Sequence, residues 1–175
     1  MPTWWPFKKD APQSNLRQQE DQAYQAALNA LRQQVGSQLL GGQSKQAILK
    51  ALLAQAEALE TGAASPEAKG QLRAYDQLHA ELRSELLQNL QMGRALEMAG
   101  RVDEAIGFYE TAVADQMSTR FPYEHLRVIY WRRESYADTL RICKAAVANP
   151  FLSSKDHAYF QSWADRLEAH LQAQS

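Results

Sequence analysis

Residues 86–115 read LLQNLQMGRALEMAGRVDEAIGFYETAVAD, and residues 121–150 read FPYEHLRVIYWRRESYADTLRICKAAVANP. The second stretch restates the first. Leu96 aligns with Tyr130, Ala105 with Thr139, Tyr109 with Cys143 and Ala112 with Ala146, each pair 34 positions apart. Two helical hairpins at such a spacing mark a helical repeat array, in which each hairpin buries its apolar face against the next. Arrays of this kind present surfaces to partners, so the offset points to an all-α fold and to recognition.

Composition agrees. The chain of 175 residues suits one domain with a real core, and 45% of its residues are apolar. Ala, Leu, Gln, Glu and Arg dominate, no alternating strand pattern stands out, and Gly and Pro are few. A formal net charge of −1 supplies no global field for nucleic acid. No apolar run is long enough to span a bilayer, no secretory leader is evident, and the single cysteine, Cys143, cannot form an internal staple. These features describe a soluble, cytoplasmic protein of bacterial type.

Working outward from the repeat, Gly100-Arg101 marks a turn before a helix over about Val102–Asp115. The second hairpin opens at Thr119–Pro122, with helices over about Pro122–Arg132 and Tyr136–Ala148. Ser135 with Asp138 has capping-box character, and Pro150 closes the last helix. Upstream, Ser65-Pro66-Glu67 is a helix start: a cap, a proline in the first turn and an acid at the positive end of the dipole. No breaker follows before Gly93, so this helix runs from about Pro66 to Ala99. Its first half needs a companion, either the two preceding helices or a second copy of the chain. Those helices are expected over about Asn15–Val35, capped by Ser14 and stopped by Gly36, and over Lys45–Glu60 after the Gly41-Gly42 turn. Ser153 and Asp156 open a last helix over 153–173, with Tyr159, Phe160, Trp163, Leu167 and Leu171 among polar residues. The organisation is therefore an arm over 1–13, an N-terminal helical region over 14–85, two repeats over 86–150 and a capping helix over 151–175.

The string Gly93…Leu96…Gly100-Arg101-Val102-Asp103-Glu104-Ala105…Tyr109…Ala112 resembles the tetratricopeptide repeat. The second unit matches through Tyr123, Leu126, Tyr130, Tyr136, Ala146 and Pro150. The resemblance implies a close helix crossing at Gly93 and Ala105, a contact with the next hairpin at Ala112, and Tyr109 as a bulky plug. It departs at Arg127, which stands where Gly93 stands in the first unit, so the second hairpin cannot close in the same way. Thr139 replaces alanine, and its hydroxyl needs a partner.

In that family the first helix of each hairpin lines a concave face that binds peptides. The resemblance with helical spacing places Leu87, Leu90, Arg94, Glu97 and Met98 there from the first unit, and Phe121, Glu124, Val128, Trp131 and Arg132 from the second. Aromatic anchors beside arginines are what binding hot spots contain. The competing reading is that Trp131 and Phe121 are covered by the C-terminal helix or by the N-terminal arm. The lysine-and-asparagine clamp that some members use for a terminal carboxylate is absent.

Other chemistries have less support. Arg127, Arg132, Arg133, Arg141 and Lys144 stand beside Tyr130 and Trp131, a pattern that can bind single-stranded nucleic acid, but Glu124, Glu134 and Asp138 dilute the charge. His79, His125, His157 and His170 form no metal-binding pair at helical spacing, and no glycine-rich phosphate loop is present. We expect no catalytic residue, no cofactor and no metal. The arm's Trp4, Trp5, Phe7, Lys8 and Lys9, among Pro2, Pro6 and Pro12, would give a membrane surface weak affinity at most. A homo-dimer through the Gln/Ala/Leu-rich helices of residues 15–90 is the main alternative to an adaptor.

Overall fold

In a computed structural model, residues 11–62 and 65–173 are described. They form seven α-helices: α1 (Ala11–Leu40), α2 (Lys45–Glu60), α3 (Pro66–Met98), α4 (Val102–Ala114), α5 (Phe121–Arg132), α6 (Tyr136–Ala148) and α7 (Ser154–Ala173). No strand occurs among the described residues, and no helix among them is long and apolar enough to cross a membrane. The aromatic-basic stretch from Trp4 to Lys9 lies outside the described residues.

The chain divides into two units, residues 1–42 with 49–81 and residues 43–48 with 82–175. In the first, Leu28, Leu31 and Val35 of α1, Leu49, Leu52 and Ala56 of α2, and Ala74 and Leu78 of α3 are buried. The long α3 finds its companion in α1. A Cβ at Gly70 would run into the Glu20 carbonyl and lie 2.8 Å from the Tyr24 nitrogen, so glycine permits the close approach of the two backbones. Arg73 then reaches Glu20 and Asp21 and lies 4.6 Å from the centre of the Tyr24 ring.

Two expectations about α1 fail. Its helix passes straight through Gly36 and ends at Leu40, where Gly42 takes φ +82° and donates to the Leu39 carbonyl. Val35 on the buried stripe holds the helix together through a glycine that costs only about 1 kcal/mol. The helix also begins at Ala11, so Pro12 falls in its first turn, where a missing N–H costs nothing, and Ser14 is interior rather than a cap.

In the second unit α4 packs on α5, α5 on α6 and α6 on α7, around a core that includes Leu96, Tyr109, Tyr123, Leu126, Ile142, Cys143, Phe160 and Leu167. The turns after α3 and α5 are built alike. Gly100 and Arg101 donate to the carbonyls of Glu97 and Leu96, while Glu134 and Ser135 donate to those of Trp131 and Tyr130. Both are Schellman ends with a left-handed residue, φ +77° at Gly100 and +57° at Glu134. Ser44 caps α2, its hydroxyl accepting from the Ala47 N–H and donating to Gln116 Oε1, while Lys45 pairs with Asp115.

Ser65 and Ser153 cap through their hydroxyls as expected. Ser135 does not. Its carbonyl instead takes the Thr139 hydroxyl at 2.9 Å, and Asp138 turns to Arg141. At Gly93 the neighbour met first is also different: a Cβ there would stand 2.6 Å from Tyr109 Cε1, so the Tyr109 ring rather than Ala105 fills the space. The size relation reverses in the second hairpin, where the buried Arg127 lies on α5 and the small Cys143 on α6.

Candidate functional site

The face carried by the second half of α3 and by α5 is joined through Glu97. Its Oε2 accepts the Tyr109 hydroxyl of α4 at 2.7 Å and lies 2.6 Å from Nδ1 of His125 on α5. A carboxylate offers no proton, so Nδ1 is the donor. Phe121 stacks on His125 with ring centres 3.9 Å apart, and the Arg94 guanidinium lies 6.0 Å from the Phe121 ring. Burial, then the bond to Glu97, pushes the Tyr109 hydroxyl far above its ordinary pKa, so it stays a donor.

One turn further along, Glu124 gathers a second network. It accepts from Arg127 at 2.6 Å and from the Tyr159 hydroxyl of α7 at 2.9 Å, with Arg120 at 3.7 Å. Burial alone would raise the Glu124 carboxyl, but Arg127, Tyr159 and Arg120 together hold it below the usual carboxylate range. Arg127 also puts its guanidinium 4.0 Å from the centre of the Trp163 ring.

The expected partner-binding residues therefore divide. Glu97 spends its carboxylate on Tyr109 of α4 and His125 of α5, Glu124 its own on Arg127 of the same helix and Tyr159 of α7, and Leu90 packs half-buried against the core. Phe121 is half-buried on His125, and Val128 is half-buried. Leu87, Arg94, Met98, Trp131 and Arg132 are exposed, Met98 at 80% and Trp131 at 39%. Helix α7 touches Trp131 without covering it: Trp163 meets it edge-to-face at 5.7 Å, as Tyr136 of α6 does at 5.2 Å.

Sequence reasoning assigned α7 to capping alone and so missed what it adds. Trp131, Trp163, Arg166, Leu167 and His170 enclose a cleft of about 300 Å³. The available signal was that Arg166 stands 34 positions after Arg132, three residues beyond Trp163 on the same helical stretch. Of the basic residues near Trp131, Arg127 pairs with Glu124, Arg133 with Asp103, Arg141 with Glu110 and Lys144 with Glu168. That pairing leaves Arg132 as the residue of the five best able to meet a phosphate.

Cys143 is buried and burial pushes its thiol up to about 11, against the pull of Arg127, so a nucleophilic thiolate is disfavoured. Among the described residues no group of three or more His, Cys, Asp or Glu side chains is placed to hold a metal ion.

No family model, no curated protein and no solved structure matches the chain. The case for function therefore rests on its own residues.

Proposed function

We propose that residues 86–150 are two tetratricopeptide-like hairpins and that the protein is a non-catalytic adaptor or scaffold, holding a protein or peptide partner on the face of α3 and α5. The turns built alike 34 residues apart support the hairpin reading. The observation that carries the recognition reading is the exposure of Leu87, Met98 and Trp131 on the helix faces that also bear Arg94 and Arg132. Large apolar side chains flanked by arginines, above a network that fixes the backbone beneath them, suit a partner surface with little ordering cost.

A photo-crosslinking residue at Arg94 or Met98 of the full chain, expressed in its native cell, should capture a protein partner. The same residue at the exposed Thr111 of α4 should not. Equal capture at Thr111, or none at the face, would remove the reading. The second reading is a homo-oligomer formed through residues 15–90, favoured by Leu16, Leu40 and Leu53 at 50%, 93% and 51% exposure. Light scattering decides it: a dimer that dissociates when Leu40 and Leu53 become serine supports assembly.

A further inference from the structure

The cleft between α5 and α7 has apolar walls and a cationic rim, and the arginines around it differ from the others. From residue 86 onward the chain has eight arginines. Arg101, Arg120, Arg127, Arg133 and Arg141 each pair with a carboxylate. Arg94, Arg132 and Arg166 have none within ion-pair distance among the described residues. All three belong to α3, α5 and α7, the helices bearing the exposed face. Of the acids on this face, Glu124 is paired with Arg127 and Arg120, and Glu97 accepts the Tyr109 hydroxyl and lies against His125. Asp165 on α7 is held by Gln161 Nε2 at 2.7 Å.

Arg166 is also held in place. Its Nε donates to the Ser162 carbonyl at 3.0 Å, and its guanidinium lies 4.4 Å from the centre of the Trp163 ring. Arg127 lies 4.0 Å from the same ring centre. Trp163 therefore already carries two cations, which argues against the cleft as a cage for a cationic ligand. At about 300 Å³ it sits at the lower end of ligand pockets, room for one large side chain rather than a cofactor.

Resting on the recognition reading, the geometry points to a specific occupant: an acidic peptide segment that lays one aromatic or branched aliphatic side chain in the cleft against Trp131, Trp163 and Leu167, with its flanking carboxylates on Arg132 and Arg166. The apolar side chain buries against indole and Leu167, and the carboxylates find guanidinium groups with open donors. Residues 1–10 of the chain itself fit poorly, because Lys8 and Lys9 would face the same arginines.

The test uses the full chain with Trp4 and Trp5 changed to phenylalanine, so that emission reports Trp131 and Trp163 alone. The probe is a blocked peptide with a central phenylalanine between pairs of aspartates. It should shift the emission saturably, more weakly as salt is raised. Replacing its aspartates with lysine, its phenylalanine with serine, or the protein's arginines in an R132Q/R166Q variant should each weaken binding about tenfold or more. The R132Q/R166Q variant changes exposed positions, and unchanged circular dichroism confirms its fold. Equal binding of the lysine peptide, or emission unmoved by the acidic peptide at millimolar concentration, overturns the assignment. Should the acidic peptide fail while crosslinking at Arg94 still captures a partner, the cleft assignment falls and the recognition reading stands.

Discussion

The Tyr109 ring occupies the space in which Gly93 would otherwise carry a side chain, with Cε1 2.6 Å from the position of a Cβ there. Alanine is the better helix former by about 1 kcal/mol, yet Gly93→Ala should destabilise the protein by about 1–3 kcal/mol, because a fully buried ring must move. Urea titrations check this. Trimming the ring in G93A/Y109L should recover part of the loss relative to the sum of the single changes. A neutral or stabilising Gly93→Ala would mean that the helices part freely at this crossing.

Glu134 holds a left-handed backbone at the position where the preceding turn has Gly100. A side chain there costs about 1–2 kcal/mol, partly offset by the entropy glycine loses on folding. Glu134→Gly should therefore raise stability by about 0.5–1 kcal/mol, and Gly100→Ala should lower it by about as much. Thermal melts of the two variants should move in opposite directions.

Asn149, 1% exposed, ties the second hairpin to the loop before it. Its Nδ2 donates to the Met117 carbonyl at 3.0 Å and to the Tyr123 hydroxyl at 2.7 Å, and its Oδ1 accepts the Phe151 N–H at 3.0 Å. Asn149→Ala strands these groups and should cost about 2–4 kcal/mol in denaturant titration. Asn149→Asp, which has no N–H for Met117, should not restore the loss. Rescue by aspartate would show that the Met117 bond contributes nothing.

Glu110 and Glu124 both titrate below the ordinary carboxylate range in the folded chain. Burial opposes this at each, and Arg141 with Tyr130, or Arg127 with Tyr159, outweighs it. Below its folded pKa each group is protonated in both states, so the unfolded chain binds more protons only in the window above that value. Stability is then fully present above about pH 4.5 and falls as pH drops through the folded pKa values. Glu124→Gln should lower stability at neutral pH and flatten this acid limb. An unchanged limb would place the acid sensitivity elsewhere.

Legibility followed the range of the interaction. Ser65-Pro66-Glu67 predicted a start that the chain obeys, because a cap, a first-turn proline and an acid act within one turn. Lys45–Glu60 and Tyr136–Ala148 also form at the expected bounds. Gly36 shows where such rules stop: it lies beside the buried Val35, and α1 continues through it. At the exposed face, the resemblance with helical spacing assigned Arg94, Trp131 and Arg132 to one surface, and all three are exposed. It could not tell that Glu97 and Glu124 were already taken, since their partners Tyr109, His125 and Tyr159 come from other helices.

The amino-acid order alone determined an all-helical chain, most of its helix limits and the 34-residue offset, because these follow from propensity, capping and periodicity within a few turns. Tertiary structure alone decided which charges remain open to a partner and that α7 helps to wall a cleft with Trp131. Arg127 is buried against Trp163, Arg133 turns to Asp103, and Arg132 stays exposed. These three arginines lie within seven positions of one another on or just after a single helix. Their different fates depend on which side chains the neighbouring helices bring within a few ångströms.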